Sequence, residues 1–171
     1  MLSKKVADLI NTQINKELYS AYLYYDFSLY YEEAGLSGFA NWYDVQTKEE
    51  VDHAMMMVKY LQENGVRPVL EAIDKPDKTF KDHMEPLKAG LEHEIYVTSL
   101  IHDIYAAAQE EKDFRSMQFM DWFVKEQGEE ENNADTLIKK MELFGGDAKA
   151  LYMLDAELGA RVYTPSSQLQ A

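Results

Sequence analysis

The sequence predicts an all-α fold: four long helices, a long crossover between the second and third, and a short fifth helix at the C-terminal end. Three observations predict it. Apolar residues recur at spacings of three and four through four long windows, the period of a helix that buries one face. The four prolines all fall outside the helix centres that this pattern marks. No run alternates apolar and polar residues in the manner of a strand.

Each element has its own start and stop signals. The first helix is expected from Ser3, a good N-cap, to about Glu33, ahead of Gly35. The second runs from Ser37 or Gly38 to the stop signal Asn64-Gly65. A connection containing Pro68 and Pro76 follows. The third helix is expected from near Asp82 to about Gln109, with Pro86 in its first turn. The fourth covers about Asp113 to Phe144 and stops at Gly145-Gly146, and the fifth covers about Asp147 to Ala160. Residues 1–162 form the folded unit in this reading, and 163–171, with Pro165 and its flanking Ser and Thr, a flexible tail.

Composition bounds the function. At 171 residues the chain can bury a substantial core. Its net charge of −14 speaks against a nucleic-acid partner and favours the approach of cations. The absence of cysteine excludes disulfides, thiolate zinc sites and iron–sulfur ligation. No secretory leader pattern and no membrane-length apolar run is present, so a cytoplasmic protein is expected.

The inward stripes carry the functional signal. The first helix places Glu17 among Ile10, Ile14, Ala21 and Tyr24. The second places Glu50 and His53 between Tyr43 and Met57, the third Glu94 between Leu91 and Val97, the fourth Glu130 between Phe123 and Leu137. Each acidic residue interrupts an apolar seam, and a buried carboxylate loses several kcal/mol of hydration unless a partner replaces the water.

Loop lengths bring these residues together. Residues 34–37 and 110–113 are short links and make two antiparallel hairpins. The link after Gly65 could extend over roughly 55 Å, enough to return along the bundle and set the third helix parallel to the second. At a rise of about 1.5 Å per residue, Glu17 lies roughly 27 Å, and Glu50 and His53 roughly 20–24 Å, from the first turn. Glu94 and Glu130 lie roughly 26 Å from the second turn, at the other end of the bundle. All five therefore meet in one layer near mid-height.

Two metal ions would relieve both the desolvation and the mutual repulsion of that layer. Carboxylates bridge hard or borderline cations, and a neutral imidazole suits iron or zinc. Di-iron carboxylate bundles use a Glu from each of two helices and a Glu-x-x-His from each of the other two. Three of these four contributions are here; three residues after Glu130 comes Asn133 instead of histidine, with Gln127 one turn before.

On the segments Asn15-Lys16-Glu17-Leu18-Tyr19-Ser20, Glu49-Glu50-Val51-Asp52-His53, His93-Glu94 and Glu126-Gln127-Gly128-Glu129-Glu130-Glu131, residues 1–162 resemble a bacterial-type non-haem ferritin. The resemblance implies a ferritin-like bundle and a homo-oligomeric shell of 24 subunits. It implies ferroxidase activity, with Fe(II) oxidised by O2 or H2O2, and storage of the ferric mineral. It assigns Glu17, Glu50 and His53 to one iron, and Glu50 as bridge with Glu94 and Glu130 to the other. Gln127 would orient or bind an oxygen-derived ligand, Tyr24 would be an electron donor, and Glu49, Glu126 and Glu129 would join Glu130 in a third iron site. The fifth helix would line the fourfold axis. Haem is not expected, because Val51 stands where bacterioferritins carry the haem-ligating methionine. His83, His93 and His102 lie off the metal stripe and are expected at the surface. A small di-iron oxidase or peroxidase without mineral storage, and a scaffold that merely sequesters divalent metal, are the competing readings.

Overall fold

The computed structural model describes residues 2–166 and Leu169. It contains five helices: α1 (Lys4–Glu33), α2 (Ser37–Glu63), α3 (Glu85–Glu110), α4 (Phe114–Phe144) and α5 (Ala148–Leu158). The expected all-α bundle and its short fifth helix are present. Ser3 Oγ caps α1 through the Val6 N–H, Asp113 caps α4 through Ser116, and Asp147 caps α5 through Ala150. Two boundaries move. α3 begins three residues later than Asp82, because that carboxylate instead caps a separate turn by accepting the N–H groups of Met84 and Glu85. α5 ends at Leu158, two residues before Ala160.

The stops of α1, α2 and α3 share one geometry. Gly35 (φ 77°) and Gly65 (φ 76°) are left-handed, and the residues after them donate to Tyr31 O and Leu61 O at 2.9 Å. Lys112 (φ 54°) makes the same turn after α3, without the glycine that would have signalled it.

Side-chain pairs fix the topology. From one end of the bundle to the other, Tyr31 meets His83, Tyr24 meets Glu94 and Lys5 meets Glu110, so α1 and α3 run antiparallel. Gln46 meets Glu130 and Asn64 meets Arg115, so α2 and α4 do likewise. With α1 and α2 joined by a tight turn, α3 is parallel to α2, as a long crossover requires. The crossover rises along α1: Asn11 holds Val69, Asn15 holds Ala72, and Phe80 packs on Phe27 and Tyr30.

Two apolar clusters fill the bundle, one around Ile10, Met57, Ile101 and Phe123, the other around Phe27, Tyr31, Tyr43 and Leu137. On every long helix the predicted acidic residue falls between the stretches that feed these clusters. The polar layer is thus a slab held between two dry cores.

α5 docks by capping α2. Leu36, at the α2 N-cap, offers no side-chain bond. Asp155 Oδ1 takes the Gly38 N–H (2.8 Å) and the Phe39 N–H (3.0 Å) instead. This approach demands glycine, since a Cβ on Gly38 would lie 1.7 Å from Asp155 O. Asp155→Ala is expected to lower stability in chemical denaturation by about 1–3 kcal/mol, the cost of orphaning buried donors. Gly38→Ala is expected to destabilise as well, by pushing α5 off the bundle; an unchanged denaturation midpoint in both variants would contradict this docking.

Candidate metal centre

Glu17, Glu50 and His53 are all buried, and each offers one ligand atom within 4.8 Å of the others. Among the described residues no other group of three His, Cys, Asp or Glu does so. His53 Nδ1 lies 3.3 Å from Glu50 Oε2, the contact expected of residues one helical turn apart. Glu17 Oε1 accepts from Gln13 at 2.9 Å, while Glu17 Oε2 is buried with no hydrogen-bond partner. A buried, unsatisfied carboxylate oxygen facing a second carboxylate and an imidazole is a donor set that fits a divalent cation.

Glu94 and Glu130 complete the layer from α3 and α4. Tyr24 donates its hydroxyl to Glu94 Oε1. Gln127 Nε2 donates to Glu94 Oε2 at 3.1 Å, and also reaches Glu94 O and Thr98 Oγ1. Gln46 Nε2 donates to Glu130 Oε2 at 2.8 Å and leaves its own Oε1 unsatisfied. That amide orientation is set by the hydrogen-bond network, in which the Gln46 nitrogen faces a carboxyl oxygen that accepts. Beside these groups Tyr24, Gln46, Glu94 and Glu130 line a cavity of about 20 Å³, large enough for one water-sized molecule.

Burial dominates the electrostatics. It raises the carboxyl of Glu17 well above the usual range, with the charge of Glu50 adding to it. It does the same to Glu50, with Glu94 and Glu130 adding. Glu94 is raised by burial against the opposing hydrogen bonds of Tyr24 and Gln127. Glu130 is raised by burial and by Glu94 to about 8. Burial thus favours the protonated form at all four carboxyls, and a bound cation would oppose that shift.

The expected third-site residues are less gathered. Glu49 and Glu126 share a pocket of about 150 Å³ with His53 and Trp122. Glu49 also pairs with Arg161 at 2.6 Å. Glu129 is exposed and pairs with Lys125 at 3.2 Å. Gln127 spends its amide on Glu94, so it orients a carboxylate. His93 departs from expectation: it is half-buried, bonds Ser20 Oγ at 2.7 Å and packs edge-on against Tyr24, because α3 turns that face toward α1. His102 is exposed, and His83 contacts Tyr30. Gln13 and Gln46 were not foreseen as site residues. Both were visible as polar breaks in an apolar stripe, each four residues before a ligand-type glutamate.

These shifts carry a pH dependence. At these four carboxyls the folded, metal-free protein holds more protons than the unfolded chain between the ordinary glutamate value of 4.5 and the value of about 8 at Glu130, and they outnumber the opposing group, His93, which burial lowers to about 4. Stability supplied by these protonated groups is complete at low pH and is lost as pH rises through that interval. The thermal midpoint of metal-stripped protein is therefore expected to fall from pH 4.5 toward about 8, and zinc(II) to reverse the fall. A midpoint that rises across the interval would contradict the assignment.

The comparisons with known proteins agree with this architecture. Residues 7–144 match the model of the family described as "Ferritin-like domain". A probable bacterial non-heme ferritin-like protein of Haemophilus influenzae is 36% identical over 159 residues, covering 93% of this chain and 96% of that protein. A bacterial non-heme ferritin of Staphylococcus haemolyticus is 35% identical over 163 residues, covering 95% and 98%. Among solved structures, an open-pore ferritin from the hyperthermophilic archaeon Archaeoglobus fulgidus superposes with a TM-score of 0.92 at 41% identity, over 95% of this chain and 100% of that one. A closed form of the Archaeoglobus fulgidus ferritin, engineered by site-directed mutagenesis, superposes with a TM-score of 0.93 at 41% identity, over 96% and 100%. The family match over residues 7–144, and identities of 35–36% to non-heme ferritins over 93–95% of the chain, place this buried-carboxylate bundle in the ferritin family, among the non-haem ferritins.

Proposed function

We propose that the protein is an iron store with ferroxidase activity. Ferrous iron is its substrate, dioxygen or hydrogen peroxide the oxidant, and ferric mineral the stored product. The observation that carries this reading is the buried Glu17–Glu50–His53 group with its unsatisfied Glu17 oxygen.

The residues divide the work. Glu17, Glu50 and His53 bind one ferrous ion. Glu50, shared as a bridge, binds the second with Glu94 and Glu130. Arrival of the ions displaces the protons that burial keeps on these carboxyls. Each ferrous ion gives one electron, and two electrons with two protons reduce dioxygen to hydrogen peroxide. The small cavity beside Glu94 and Glu130 leaves room for one water-sized ligand next to these carboxyls. Gln13, Gln46 and Gln127 hold one carboxylate each in orientation. Tyr24, whose hydroxyl meets Glu94, is the candidate further donor: one electron from it and one from a ferrous ion at the third position would, with two protons, carry the peroxide on to two waters. Glu49, Glu126 and Glu129, with Glu130, form a third position that receives iron at the edge of the centre. Ferric product is stored in a closed homo-oligomeric shell, of 24 subunits by family resemblance, with α5 at its fourfold axis. Among the described residues no helix is long and apolar enough to cross a membrane. A cytoplasmic location is part of the same proposal.

Glu50→Ala and His53→Ala are each expected to slow dioxygen-dependent oxidation of ferrous iron by more than about 100-fold, beyond the 10–100-fold typical of losing a residue that only supports a ligand. Rates that survive these substitutions would remove the centre from the reaction. Light scattering of the purified protein is expected to report a particle of many subunits; a monomer or dimer would favour an oxidase without mineral.

A further inference from the structure

The pocket beside His53 is walled on its outer side by the chain's own C-terminal segment. Beyond Gly159 the backbone turns back onto α2. Asn41 Nδ2 donates to Arg161 O at 3.0 Å and to Leu158 O at 3.3 Å. Further along, the Tyr163 hydroxyl and the Ser166 N–H both donate to Asp52 Oδ2 at 2.9 Å. Thr164 and Ser166 thereby line the same pocket as Glu49, His53 and Glu126.

Arg161 carries the positive charge of this strap. Its Nη2 lies 2.6 Å from Glu49 Oε2, and its guanidinium sits 4.1 Å from the centre of the Trp42 ring. Nη1 also donates to Trp42 O at 3.4 Å. The pair is largely shielded, with side-chain exposures of 19% and 26%, against 79% and 58% for Lys125 and Glu129. Salt and water therefore weaken it less than an ordinary surface pair. A guanidinium that is stacked on an aromatic ring, bonded to a backbone carbonyl and tethered through its own backbone does not depend on Glu49 for its place. It remains beside that carboxylate when another cation arrives. An ion bound between Glu49 and Glu126 must then share Glu49 with a fixed charge of the same sign, which repels it. A ferric ion is repelled more than a ferrous one.

We propose that Arg161 competes from within the chain for divalent cations at Glu49. It makes the position between Glu49 and Glu126 one that an ion crosses and does not settle in. The proposal rests on the third-position reading given above.

Zinc(II), which is redox-inert and accepts the same nitrogen and oxygen donors, is the probe, titrated calorimetrically into the intact assembled protein. In Arg161→Gln the ion that needs Glu49 is expected to bind about tenfold more tightly or better. The ions held by Glu17, Glu50 and His53 are expected to keep their affinities. Arg161→Lys, which keeps the charge but not the stacked fork, is expected to tighten binding less than Arg161→Gln, and Tyr163→Phe, which loosens the strap but keeps Arg161, is expected to match the unsubstituted protein. Arg161→Met, which retains an aliphatic stem over Trp42, is a second neutral variant should the glutamine form fail to assemble.

Unchanged or weaker binding in the neutral variants overturns the role of Arg161 while leaving the third position intact. Tightening in Arg161→Lys equal to that in Arg161→Gln overturns competition by charge. Glu49→Gln identifies the binding event that requires Glu49; if it deletes none, the third position itself falls, and the proposal with it.

Discussion

Everything in this fold is arranged around the burial of four carboxylates at one height. Glu17, Glu50, Glu94 and Glu130 come from four different helices and are each no more than 5% exposed. A charge so placed costs several kcal/mol unless it is paired, hydrogen-bonded or neutralised. The metal-free molecule uses the two milder remedies. Burial favours protons on the carboxyls, and neutral donors are provided by Gln13, Gln46, Gln127 and Tyr24. The remedies are incomplete, because Glu17 Oε2 and Gln46 Oε1 have no partner. A bundle whose only purpose was stability would fill this slab with leucine. The retained polarity is therefore a capacity for cations.

The two apolar clusters make that capacity possible. Each gathers aromatic and aliphatic side chains from the long helices on one side of the slab. Fully burying one such side chain contributes about 1.5–3 kcal/mol, so the clusters outweigh the cost of a few imperfectly satisfied polar atoms. They also exclude water, which strengthens the coupling among the glutamates and keeps their donors fixed in place. The aromatic face of Tyr24 belongs to one cluster while its hydroxyl belongs to the polar layer, so one side chain joins packing to chemistry.

The centre has a closed side and an open one. Toward Glu94 and Glu130 the cavity is small and flanked by Tyr24 and Tyr43. Toward His53 the larger pocket has Glu49 and Glu126 in its walls, and the C-terminal segment lies across it. The tail, expected to be flexible from residue 163, makes contacts at Tyr163, Ser166 and Leu169, the last packed against the cluster around Ile10 and Met57; Ser167, Gln168, Gln170 and Ala171 lie outside the described residues. Arg161 of that segment pairs at 2.6 Å with Glu49, one of the acidic walls of the pocket.

Much of this was legible before any coordinates. Helical period, the caps Ser3, Asp113 and Asp147, and the glycines at 35 and 65 specify local geometry, because each acts within a turn or two of its own position. The spacing of Glu50 and His53 on one face, and the common height of the five layer residues, follow from helix rise and loop length alone. What only the tertiary structure decided are the contacts between residues distant in the chain. Asp155 caps α2 from 117 residues away, Arg161 reaches Glu49 across 112, and His93 is drawn in against Ser20 across 73. Periodicity says which face of a helix is buried. It does not say which neighbour that face meets, because the meeting depends on how whole helices rotate and slide to fill the core between them.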